Sequence, residues 1–213
     1  MRALIIGAEN IAKFSGLSLA RLFGEISPKI RTITVTTAES QLQSALDYYD
    51  QVNLTESISL TAPLTISKAV TLDLNGQTLS AGTFKLNNDG SYEYGDSHSV
   101  AFLIKDGGKL TIIDSSEDTT EYFESASGQV VAADAANSHV AIVEAGGELV
   151  IEAGNFSNKN NPANGDGNAL IVNNGDLFIY GGVFEPCYDY NAASEFSEAS
   201  YSPAYSGNGN NVI

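Results

Sequence analysis

Apolar and polar positions alternate in three short stretches of the chain: KLTII at 109–113, ELVIE at 148–152 and DLFIY at 176–180. Alternation puts Leu110 and Ile112, Leu149 and Ile151, and Leu177 and Ile179 on one face of a β-strand each. An apolar run and a turn precede every one of them, and the turns are Gly107-Gly108, Gly146-Gly147 and Asn174-Gly175. The anchor leucines stand 39 and 28 residues apart, and an earlier relative lies at Val70–Gly76, VTLDLNG. Self-similarity on this scale predicts stacked repeats. A hairpin would also use apolar run, turn and apolar run, and Asn-Gly is a hairpin turn. Repetition of the whole unit favours the other reading. There the turn is a corner, each strand pairs with its copy in the next repeat, and the Leu and Ile columns stack into one core.

Further strands are expected at Thr32–Val35, Ile58–Leu60, Leu64–Ile66, Val70–Leu74 and Thr83–Leu86. Within Val70–Leu74, the residues Val70, Leu72 and Leu74 should point inward, with Thr71 and Asp73 outward. A short helix is predicted over Gln41–Tyr49, after Thr37-Ala38-Glu39-Ser40, with Leu42, Ala45 and Leu46 on one face. Insertions at Asn87–His98, Ser115–Ser138, Ser157–Gly167 and Pro186–Gly209 hold much of the acid and aromatic content. Such insertions often form the binding face of repeat proteins.

The segment ESQLQSALDYYDQVNLTESISLTAPLTISKAVTLDLNGQTLS at 39–80, with the later units, resembles the right-handed parallel β-helix superfamily. That superfamily takes in the pectate-lyase-like proteins and many phage spikes and fibres. The resemblance implies an all-β fold: a right-handed parallel β-helix, or solenoid, over 32–213, with a short capping helix near 39–49. An N-terminal non-repeat arm over 1–31 precedes it. Gly209–Ile213 matches the start of the unit at Gly167–Ile171, so the body is expected to continue beyond 213 or to be closed by a neighbour.

Charge separates arm from body. Residues 1–38 hold five basic and two acidic residues, a net +3, which leaves −19 for the rest of a chain whose total is −16. An acidic body repels nucleic acid, so none is expected as a partner. Cys187 is the only cysteine, which rules out an internal disulfide framework. The early apolar run Ala3–Ala8 is too short for a membrane span or a signal-peptide core, so neither is expected. Residues 1–30 match no repeat but are dense in apolar and basic side chains. Arg2, Leu4, Ile5, Ile11, Lys13, Phe14, Leu17, Arg21, Leu22 and Phe23 are the expected contacts to a capsid or other virion protein. A cap over the mouth of the solenoid is the alternative use of the same segment.

Candidate chemistry is sparse. Lyases of the resembled type hold calcium with acidic residues and use arginine or lysine as base, whereas Arg2, Arg21 and Arg31 all precede the body. Asp73, Asp106, Asp114, Asp134 and Glu152 offer carboxylates of the kind glycoside hydrolysis needs, and outward solvated side chains are the simpler account of them. His98 and His139 have no ligand spacing around them, so no metal, cofactor or catalytic residue is assigned. The outward positions Val150, Phe178 and Tyr180 should stack into an exposed apolar stripe, the expected interface of a homotrimer. A loop folding back from 186–209 is the alternative cover. Tyr188, Tyr190 and Tyr201 are candidate contacts to host surface glycans. The resulting expectation is a structural head fibre, decoration or spike protein at a virion surface. A polysaccharide-degrading lyase or glycoside hydrolase, and a bacterial surface adhesin, are the alternatives.

Overall fold

A computed structural model describes residues 32–35, 39–88, 92–95, 97–116, 128–133, 135, 137–158, 169–185, 205–206 and 210–212. The chain divides into two units, Met1–Ile30 and Arg31–Ile213. The arm and all ten of its candidate contacts lie outside the described residues.

The described body is all-β with parallel sheets and one helix. The first sheet orders β1 (Thr32–Val35), β2 (Gln51–Leu54), β5 (Ala69–Asp73), β10 (Lys109–Ile113), β13 (Glu148–Ile151), β16 (Asp176–Ile179) and β19 (Asn210–Val212). The second orders β3 (Ile58–Leu60), β6 (Thr78–Ala81), β11 (Gln129–Ala132), β14 (Asn155–Asn158) and β17 (Val183–Glu185). The third runs through β9 (His98–Ile104), β12 (Asn137–Val143), β15 (Ile171–Asn173) and β18 (Tyr205–Ser206). Against β9 also lie β4 (Leu64–Ile66) and a hairpin of β7 (Phe84–Leu86) and β8 (Tyr92–Tyr94). From β2 onward the chain visits the three sheets in turn. The strand pairs are parallel, except the two that β7 makes.

Register fixes what stacks on what. Val70 pairs with Leu110, Leu110 with Leu149 and Leu149 with Leu177. One step along the face, Val52, Leu72, Ile112, Ile151 and Ile179 form a second column. All but Ile179 are buried, and Ile179 packs against the same core. Shifting a strand by one residue would turn every one of these side chains outward, so the apolar face specifies the register. Because the anchor strands pair in parallel with their own copies, the hairpin reading of those units does not hold.

Glycines make the corners. Gly108 and Gly175 sit where a Cβ would lie 2.2 Å from the carbonyl oxygens of Ile66 and Gly147. Backbone therefore crosses backbone at a distance only glycine permits. The Asn75-Gly76 turn has both residues in the left-handed region, at φ 46° and 74°. It joins the first sheet to the second rather than closing a hairpin. Between the second and third sheets, Ser99 Oγ accepts from Ala133 N at 2.8 Å, and Ser138 Oγ donates to the Ala133 carbonyl at 2.7 Å. Ser99 and Ser138 are register partners and both are buried, so this corner carries a small satisfied polar stack.

The helix α1 (Glu39–Tyr48) buries Leu42, Ala45 and Leu46 as expected. Its Gln43 side chain accepts from Thr65 N at 2.8 Å and donates to the Thr65 carbonyl at 2.9 Å. The amide thus stands in for a strand along the edge of β4, which leaves that edge less open to stray pairing. Glu39 holds the next corner by accepting from Thr61 N and Ala62 N, both at 2.8 Å.

Three differences from the sequence reading follow. Asp73, expected to face solvent, is buried, and Leu74 is buried beyond the end of its strand. The strand β11 lies within the expected insertion Ser115–Ser138, β14 runs into the one at Ser157–Gly167, and β6 lies where no strand was expected. The insertion at Asn87–His98 contains an antiparallel strand, β8, paired to β7.

Candidate functional site

The anchor strands have an outer face, and β10, β13 and β16 line it up across three repeats. Register puts Thr111, Val150 and Phe178 in one outward column. Two positions back along each strand, Lys109 and Glu148 form a parallel column and join in an ion pair at 2.7 Å. On the other side, Glu152 and Tyr180 directly follow β13 and β16. These side chains line a shallow, open groove of about 260 Å³. Val150 and Phe178 belong to its floor, and the ion pair and the Glu152–Tyr180 side form its walls.

The apolar stripe expected at Val150, Phe178 and Tyr180 is therefore narrower than the sequence suggested. Val150 is 7% exposed and belongs to the floor. Phe178 is half-buried, whereas Tyr180 is 69% exposed. Glu152 is exposed, and no ion pair forms on it among the described residues. The groove thus combines two aromatic rings, a carboxylate with no ion pair among the described residues, an ammonium–carboxylate pair and the Thr111 hydroxyl. Lys109, Thr111 and Glu148 were not singled out from the sequence. The same alternation that marked the inward leucines assigns them outward, at every second position.

Two of the other candidate carboxylates, Asp73 and Asp114, serve the backbone. Asp73 accepts from Asn75 N at 3.0 Å and from Ser115 N at 2.9 Å. Asp114 accepts from Gly76 N at 2.8 Å, Ser116 N at 3.3 Å and Gly128 N at 2.6 Å. A carboxylate with two or three such donors is a turn clamp, because each amide is a group the turn would otherwise leave unpaired. Asp106 stands beside Gly146, where a Cβ would meet its carboxylate. Asp134, Tyr188, Tyr190 and Tyr201 lie outside the described residues.

His139 contacts the Ala169 carbonyl through Nδ1 at 2.6 Å. Burial pushes its pKa below the ordinary 6.5, the hydrogen bond to Ala169 opposes that, and the nearby His98 adds to it. Among the described residues no group of three or more His, Cys, Asp or Glu could hold a metal ion. No helix among them is long and apolar enough to cross a membrane. No protein-family model, curated protein or solved structure matches the chain.

Proposed function

We propose that this chain is a structural fibre or spike protein of a virion. Its body winds as a right-handed parallel β-helix and assembles as a homotrimer. Residues 1–30 attach it to a capsid or other virion protein, and the body projects outward to touch host surface glycans. The observation that carries the reading is the unbroken column Val70, Leu110, Leu149, Leu177. A body whose repeats touch only their neighbours grows by adding repeats, which suits a projecting element. The use of Asp73 and Asp114 as turn clamps lends support, since it commits two of the candidate acids to holding corners.

Incorporation into particles tests the reading. Particles assembled with the full chain should carry it, and its mass by light scattering should be that of three copies. A chain lacking residues 1–30 should keep its β circular dichroism and its cooperative melt but fail to join the particle. Equal incorporation of the two chains would remove the attachment role, and a monomeric mass would remove the trimer.

A further inference from the structure

The groove across β10, β13 and β16 has a composition that selects its ligand. We infer that it is a binding site for a neutral saccharide, with Tyr180 and Phe178 as the stacking surface and Glu152, Glu148, Lys109 and Thr111 as hydroxyl partners. This deepens the glycan contact of the proposed function, and rests on that reading for its biological meaning alone.

Small-ligand sites combine apolar and aromatic surface with a few fixed polar groups, and this groove has both within about 260 Å³. A pyranose ring has an apolar face that lies flat on an aromatic ring, and Tyr180 offers a ring that is 69% exposed. Around the rim of the sugar, hydroxyls both donate and accept. Glu148 and Glu152 are acceptors only, Lys109 is a donor only, and the Thr111 hydroxyl serves either way. A polyol satisfies all four.

Charged ligands do not. An acidic saccharide would meet two glutamates on a body of net charge −19, which repels it. A basic peptide would satisfy the carboxylates but lie against the Lys109 ammonium. A second copy packed over the groove would bury the exposed Glu152, and a buried carboxylate is costly unless the copy supplies a cation. Phe178 and Tyr180 are thereby assigned to a ligand, and the contacts of the proposed homotrimer to other parts of the chain.

The test is titration of the purified full-length chain with a fixed panel. The panel comprises maltohexaose, cellohexaose, mannohexaose, laminarihexaose and chitohexaose, with oligogalacturonate and oligolysine as charged controls. Heat of binding and tyrosine emission both serve as readouts, the latter because the chain has ten tyrosines and no tryptophan. At least one neutral oligosaccharide should saturate and oligogalacturonate should not, whereas oligolysine, drawn to any acidic surface, should bind Tyr180→Ala as it binds the parent. Tyr180→Ala and Glu152→Gln should each weaken saccharide binding about tenfold or more. Both side chains are exposed, so the unfolding midpoint should not move. The assignment is overturned if no neutral member of the panel saturates, if oligogalacturonate saturates instead, if Tyr180→Ala weakens oligolysine as much as the saccharide, or if both variants bind the saccharide as the parent does. It is also overturned if Tyr180→Ala lowers the assembled mass while leaving the saccharide heats unchanged. Particle incorporation does not enter any of these outcomes, so the two readings fail separately.

Discussion

Phe156 lies over Phe184 of the next repeat with ring centroids 5.2 Å apart and planes 15° from parallel. The two residues are register partners in the second sheet, at the end of the column Ile58, Leu79, Val130, Phe156, Phe184. Two glycines of the preceding turns lie against this stack. A Cβ on Gly182 would stand 2.9 Å from the Gly154 carbonyl oxygen and 3.3 Å from the Phe156 ring, and both glycines have φ above +100°.

Phe156→Ala should therefore be among the most damaging single substitutions in the body. Phe156 is 1% exposed and belongs to the main core. A loss of about 3–5 kcal/mol is expected in urea unfolding. Phe184→Ala, at a half-buried ring with one neighbour on the stack, should cost clearly less. Equal losses at the two positions would show that the stack does not decide the stability here.

Neighbouring glycines should behave differently, because two distinct constraints require them. Gly107 has φ +74° and open space where a Cβ would go. Gly107→Ala should cost only the left-handed conformation, about 1–2 kcal/mol. At Gly175 the Cβ would lie 2.2 Å from the Gly147 carbonyl oxygen, so Gly175→Ala must push two repeats apart. The expected loss there is about 3 kcal/mol or more. Thermal melts of both variants check the order, and a milder Gly175→Ala than Gly107→Ala would contradict the close-crossing corner.

The anchor strands were legible because each carries alternation, a glycine turn and a Leu-x-Ile pair at once. Apart from Ile58–Leu60, the strands of the second sheet were not. Asn155–Asn158 and Thr78–Ala81 offer two inward side chains apiece among serine, threonine and asparagine, which reads as turn. In the third sheet Leu64–Ile66 keeps period two, but the strands after it do not. Ala101 with Phe102, Val140 with Ala141, and Leu170 with Ile171 are consecutive residues that all enter the main core. A straight strand cannot turn neighbours the same way, so the chain bends there. Asn75-Gly76 was ambiguous for a different reason: a left-handed pair of residues turns the chain equally well at a hairpin and at a corner. Of the candidate site, the outward column was visible in the strand period. Its walls follow from the same alternation only once β10 and β13 are known to pair in the register that sets Lys109 beside Glu148.

Asp114 ties together segments far apart in sequence through Gly76, Ser116 and Gly128. Asp114→Ala leaves those amides without their acceptor, and a loss of about 1–3 kcal/mol is expected in urea unfolding. Asp114→Asn keeps one carbonyl oxygen in place and should recover part of it. If alanine and asparagine were equally destabilising, or alanine harmless, water would have to be serving the amides in place of the carboxylate.

The last expectation concerns acid. Burial holds the pKa of His139 below 6.5 in the fold, and its Nδ1 faces the Ala169 carbonyl. In the unfolded chain the imidazole titrates near the ordinary value, so between the two pKa values the unfolded state binds more protons than the folded one. Stability therefore rises with pH through this window and is fully present above about pH 6.5. On acidification it falls below that point and stops falling, as far as His139 is concerned, once pH passes the depressed folded value. Urea midpoints measured from pH 8 down to pH 5 should show this decline in the parent chain. His139→Gln, whose side chain does not titrate and can still donate to a carbonyl, should flatten the curve over the same range. A decline of equal slope in the variant would assign the acid sensitivity to other groups.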